Sequence, residues 1–137
     1  MTDERPEAGA KSHRNTDASS RGFDLAERTA RFGETAIRFA RQIQVDAVTR
    51  PLIVQLVRAA TSVGANYCEA DEAGSRKEFR YRISVCKRES RESKHWLRMI
   101  ATAAATHRND ARVLWKEANE LTLIFASIFR NSKLKKP

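Results

Sequence analysis

The sequence predicts an all-α protein: an antiparallel, up-down-up-down four-helix bundle behind a disordered N-terminal tail. Two observations carry this expectation. Apolar residues recur at alternating spacings of four and three through four successive segments, the seam pattern of packed helices, and no segment alternates with period two over a useful length. Breakers are also scarce, with five glycines and three prolines in 137 residues, about half of them at the proposed element boundaries. A chain this long has room for one sizeable core. The division is a disordered tail at 1–22, a four-helix bundle at 23–132 and a basic C-terminal tail at 133–137.

Residues 1–22 contain no aromatic or large aliphatic side chain after Met1. Such a segment cannot bury enough apolar surface to offset the cost of ordering, so it is expected to be disordered. The first helix is expected to start at Asp24, with Glu27 three residues on completing a capping box. Its seam is Leu25, Thr29, Phe32, Ala36, Phe39 and Ile43, and the pattern fades at 45–48. Thr49 is the expected N-cap of the second helix, with Pro51 in the first turn, where a missing N–H costs nothing. Ile53, Leu56, Ala60, Val63, Tyr67 and Ala70 form its seam, and Gly74 supplies a permissive backbone past its end.

Ser75 and Glu78 read as a second capping box opening the longest helix. Its seam is Phe79, Ile83, Cys86, Ser90, Ser93, Leu97, Ile100 and Ala104. The serines in mid-seam imply a close approach of neighbouring helices or a polar contact inside the bundle. Asn109–Asp110 are expected to cap the fourth helix, whose seam is Leu114, Ala118, Leu121, Phe125 and Ile128. Both cysteines, Cys68 and Cys86, fall within helical patterns and lack metal or redox spacing, so both read as small apolar residues.

The net charge of +9 is unevenly placed. Residues 1–22 contribute nothing, 76–98 carry a net of +6, and 130–137 add +4. Localised positive charge predicts a polyanionic partner. On the third helix, Lys77, Arg80, Lys87, Arg91, Lys94 and Arg98 share one side at helical spacing. With Lys133, Lys135 and Lys136 of the tail they are the candidate nucleic-acid contacts, because cations that displace condensed counterions give salt-dependent affinity. The competing reading is a solvated face neutralised by glutamates nearby, or a surface for an acidic protein.

No catalytic constellation is present. Ser62 has no histidine on the first two helices to activate it, so no enzyme is expected. Glu92 and His95 match one half of a di-iron bundle motif, but the second half is missing, so neither a metal nor any other cofactor is expected. No run of about 18 apolar residues exists to span a bilayer, and 1–22 hold no apolar leader, so a cytoplasmic protein is expected. Ser62, Asn66 and Glu69 form a polar line beside the second seam, suited to a contact with another helix or subunit. Trp96, Met99, Trp115 and Phe129 lie off the seams, and the width of that apolar flank points to a homo-oligomeric interface.

The run RAATSVGANYCEA at 58–70, followed by SRKEF at 75–79, resembles the signature of the 23S rRNA intervening-sequence protein family. FDLAERT at 23–29 and EANEL at 117–121 are similar to the family's ends, so the resemblance covers the whole expected bundle. It implies a homopentamer of short bundles around a central channel. Ser62, Gly64, Asn66, Glu69 and Phe79 match the family positions, where the resemblance implies packing or assembly. A related branch, the accessory proteins of diversity-generating retroelements, is similar in fold and basic character; this implies binding to nucleic acid and to a reverse transcriptase. The rival expectation is an adaptor or scaffold that binds only protein.

Overall fold

The computed structural model describes the backbone of residues 17–133 and the side chains of residues 25–133. Four long helices account for nearly all of it: α1 (Asp17–Gln42), α2 (Thr49–Asp71), α3 (Arg76–Ala103) and α4 (Arg108–Asn131). A single 3-10 turn, Ala105–His107, precedes α4. Among the described residues there is no strand, and no helix is long and apolar enough to cross a membrane.

One continuous core joins the four helices, and it is built from the four seams. Leu25, Thr29, Phe32, Ala36, Phe39 and Ile43 are all buried on α1. Leu56, Ala60, Val63, Tyr67 and Ala70 are buried on α2, and Ile53 packs against them from the edge. The α3 seam is buried from Ile83 to Ile100, with Phe79 and Ala104 half-covered at its ends. Leu114, Ala118, Leu121 and Phe125 are buried on α4, joined by Ala111. A period near 3.5 residues keeps one face turned inward along a whole helix, so spacing alone marks the core.

Contacts between neighbouring helices run in opposite order along the two partners. Between α2 and α3, Arg58 reaches Glu89 while Asn66 meets Arg82. Between α3 and α4, Arg80 reaches Phe129 while Lys94 meets Asn119. Helices α1 and α2 pack closely at two glycines: a Cβ on Gly64 would stand in ordinary contact, 3.4 Å from the Thr29 backbone, and one on Gly33 3.5 Å from Thr61 Cα. Helices α1 and α4 are tied by Arg28, whose fork takes both carboxylate oxygens of Glu117 at 2.7 and 2.9 Å and Glu120 at 2.6 Å. Such bidentate pairing fixes orientation as well as distance.

The mid-seam serines do both things expected of them. Ser90 and Ser93 are fully buried and donate to carbonyls one turn back, Cys86 O at 2.9 Å and Glu89 O at 2.8 Å. The Thr122 hydroxyl of α4 lies 3.1 Å from that of Ser90, so a small polar contact sits where the two helices come close.

The structure departs from expectation in four places, three of them helix starts. Helix α1 begins at Asp17, so residues 17–22, read as tail, are helical, and Asp24 lies inside the helix rather than capping it. An acidic residue suits the first turn of a helix, and no proline interrupts 17–24, so the helix continues outward from its buried face. Residues 1–16 lie outside the described part.

The second departure is the start of α2. Asp46, not Thr49, holds it: the Asp46 carboxylate accepts the amides of Val48 and Thr49 at 2.9 and 2.8 Å. Thr49 returns the favour through its buried hydroxyl, which accepts the Asp46 amide at 3.0 Å and donates to Gln44 O at 2.7 Å. Thr49 is the inner member of a reciprocal box that starts three residues earlier. Third, the Asn109–Asp110 cap is replaced by the 3-10 turn, and both residues fall in the first turn of α4. His107 closes that turn with its ring edge-on to Phe39 of α1. Fourth, Cys68 is exposed, because it follows seam residue Tyr67 by one position and is rotated out of the core. Cys86 is buried as expected, and burial pushes its thiol up to about 12.

Ser75 does cap α3, accepting the Glu78 amide at 3.1 Å, although the Glu78 carboxylate reaches back to the Gly74 amide rather than to Ser75. Gly74 itself stays outside the left-handed region.

The Asp46 box has a pH signature. The Thr49 amide first, then that of Val48, favours the ionised carboxylate and holds Asp46 below its usual range. A depressed value stabilises the fold above the unfolded aspartate value of about 3.9 and loses that contribution as pH falls through the folded one. The amide resonances of Val48 and Thr49 are therefore expected to titrate together in acid, below about pH 4, and to stop doing so in Asp46→Ala.

Candidate nucleic-acid interface

Helix α3 packs against α2 on one side and α4 on the other, and its charges are sorted between them. Glu89 and Glu92 turn toward α2, where Arg58 pairs with both. Arg80, Lys87 and Lys94 of the basic stripe turn toward α4. The local glutamates that would neutralise it are thus on the far flank and already occupied.

Along the α3–α4 groove the cations are held by neutral partners. Arg80 donates to Phe129 O at 2.7 Å, and its guanidinium lies 3.9 Å over the Phe129 ring. Lys87 approaches the same ring at 5.9 Å. Lys94 donates to Asn119 Oδ1 at 2.8 Å and stands 5.2 Å over Trp115. Lys77, Arg91 and Arg98 are exposed. Among the described residues none of the six meets a carboxylate within salt-bridge distance. The ridge from Lys77 to Arg98 runs about 32 Å at 1.5 Å per helical residue. Six like charges at this spacing repel mildly and leave a strip of positive potential that a row of phosphates would match.

Arg80 carries a structural contact besides its charge. With Arg76, which donates to Lys133 O at 3.2 Å, it satisfies carbonyls at the C-terminal end of α4, where the helix dipole favours a cation. Lys133 is exposed beside this end. Lys135 and Lys136 lie outside the described residues.

Two members of the polar line of α2, Ser62 and Asn66, face α3. Asn66 donates to Ser62 O and to Ser62 Oγ, both at 2.9 Å, and its Oδ1 accepts Arg82 Nη1 at 2.9 Å. Arg82 Nε is buried with no partner. Glu92 of the half metal motif accepts Arg58 and the Trp96 indole N–H, the latter at 3.0 Å, so its carboxylate is already engaged, while His95 is exposed and edge-on to Trp96. Among the described residues no group of three or more metal-ligating side chains comes together. Removing the Asn66 amide strands Arg82 in a partly buried position. Asn66→Ala is expected to cost about 1–3 kcal/mol, the range for leaving a buried polar group unpaired, in urea unfolding.

A match to the family of 23S rRNA-intervening sequence proteins spans residues 22–127, well over half of the chain. The chain belongs to that family. A solved structure from the S23 ribosomal protein family of Bacteroides thetaiotaomicron, a protein of unknown function, shares the fold with a TM-score of 0.69. Its identity is 20%, over 80% of this chain and 97% of that one. No curated protein matches this chain.

The five positions that carry the family resemblance have distinct surroundings. Ser62 and Asn66 form the link to α3, Gly64 lies against Thr29 of α1, and Phe79 packs half-buried at the edge of the core. Glu69 is exposed. Sequence reasoning missed Arg82 and Arg58, the cross-helix partners. The signal was available for Arg82, which stands roughly half a turn away from the basic stripe and so cannot belong to it.

The off-seam aromatics are largely accounted for within the chain. Trp96 and Phe129 pack against the core, and Phe129 is covered by Arg80. Trp115 remains 37% exposed. Other large apolar side chains are more exposed and are spread over the helices: Val113 (68%), Val48 (62%), Leu123 (61%), Val54 (58%) and Tyr81 (57%).

Proposed function

We propose that this family member is a non-enzymatic, cytoplasmic, antiparallel four-helix bundle that assembles with copies of itself and binds structured RNA or DNA through the α3 ridge. One observation carries the binding reading: among the described residues none of the six cations of the stripe has a carboxylate partner, and three of them, Arg80, Lys87 and Lys94, line the α3–α4 groove, while Glu89 and Glu92 are turned to the opposite flank. The opposed order of helix contacts supports the antiparallel arrangement. The exposed apolar side chains, Val48, Val54, Tyr81, Val113 and Leu123 among them, are compatible with self-association, with a pentamer as the assembly the family resemblance suggests. The family's name keeps RNA first among the polyanions, and the same resemblance makes a reverse transcriptase the protein partner to try.

The test is fluorescence anisotropy of a structured RNA and a duplex DNA against the purified protein across a salt series. Binding whose logarithm falls linearly with log salt supports the ridge. No association at about 50 mM salt, where screening is weak, would transfer the surface to an acidic protein partner. Light scattering that returns a monomer mass at micromolar concentration would remove the self-association.

A further inference from the structure

At the end of the ridge the α3–α4 groove opens into a cavity of about 540 Å³, within the size range of small-ligand sites. It lies between the last turns of α3 and the first turns of α4. Its lining includes the apolar side chains of Leu97 and Trp115, with Arg98, Arg108, Arg112 and Lys116 around them. No lining residue is acidic. This lining suits an occupant with a flat apolar face to lie on the indole and negative charge at its edges. Arg98 belongs to both the ridge and the cavity, so a strand following the ridge arrives here.

We propose that this cavity captures one unpaired base of a nucleic-acid strand. Trp115 is the stacking platform, and Arg98, Arg108, Arg112 and Lys116 hold the flanking phosphates. The chemistry suits every base, because each has a π-face, and arginine adds stacking of its own. The inference rests on the ridge reading and extends it. The ridge tracks a backbone by charge, whereas the cavity selects strands that can release a base, at a bulge, loop or single-stranded end.

The experiment compares three DNA hairpins of identical stem at physiological salt: one blunt, one with a short unpaired tail, and one whose tail is abasic. The two tails carry equal charge, so their ratio isolates the base. The full-length protein is expected to prefer the normal tail over the abasic tail by about tenfold, the order of magnitude of one stacked base. Trp115→Leu is expected to bring that ratio to about one and Trp115→Phe to keep most of it, since a phenyl ring still stacks. Helical circular dichroism confirms that both variants fold. Equal binding of the two tails by the unaltered protein would overturn the cavity proposal and leave the ridge standing. Failure to bind any hairpin, even in low salt, would overturn both. A Trp115→Leu variant with a changed mass in light scattering and an unchanged tail ratio would show the cavity to be covered by a second copy, which also overturns the proposal.

Discussion

Replacing Lys77, Lys87, Arg91 and Lys94 together with glutamine is expected to flatten the salt dependence of nucleic-acid binding by about three to four units of log affinity per log salt. Each phosphate neutralised contributes roughly 0.9 to that slope on a duplex. Glutamine removes the charge and keeps most of the aliphatic stem, so contacts along the groove are retained. Arg80 is left in place because it also holds the Phe129 carbonyl, and its loss would mix a folding defect into the result. Arg98 is spared because it borders the cavity. Affinity at low salt should fall by orders of magnitude, since cooperating charges are removed where screening is weakest. A variant with an unaltered slope would place the phosphate contacts elsewhere on the protein.

Phe125→Ala is expected to destabilise the fold by about 3–5 kcal/mol, the usual cost of truncating a buried aromatic. Phe125 is fully buried on α4 and tilts against Tyr67 of α2 with ring centroids 6.1 Å apart. The change therefore opens a cavity at a contact between two helices, with little chance of local collapse in a close-packed interior. Total stability of a domain is about 5–15 kcal/mol, so a large share would be lost. Thermal unfolding should show a Tm lower by roughly 10–20 °C for a chain of this size. Leu123→Ala, two residues away and largely exposed, should change the monomer little. A Phe125→Ala protein as stable as the parent would mean that the core is not closed at this point.

The inward face of each helix was legible because burial follows a repeat. Thr29, Ser90 and Ser93 are polar, yet they were placed in the seams by register alone and all three are buried. Helix starts were less legible, because caps are settled by short-range competition with no period to reveal it. Asp46 and Thr49 are both good capping residues, and geometry assigned the carboxylate to the helix amides and the hydroxyl to the core edge. At the fourth helix a 3-10 turn replaced the expected cap, and His107 at its end lies edge-on to Phe39 of α1, a contact no local pattern announces. Cys68 shows the same limit on a smaller scale: one residue off the seam is enough to put a side chain in water.

By itself the amino-acid sequence determined the helical class, the four apolar seams, the capping of α3 by Ser75 and the grouping of cations on one side of α3. Each of these depends on spacing within a single segment, and a helix converts spacing into direction. Only the tertiary structure decided what those directions meet. It turned Glu89 and Glu92 toward Arg58, set Asn66 against Arg82, laid Arg80 on Phe129, and brought Arg98 together with Trp115 at the mouth of a cavity. These pairs join residues 16 or more apart in the chain. Their meeting depends on which helices are neighbours and in what register they pack, and that information is carried by the whole core and not by any one stretch of chain.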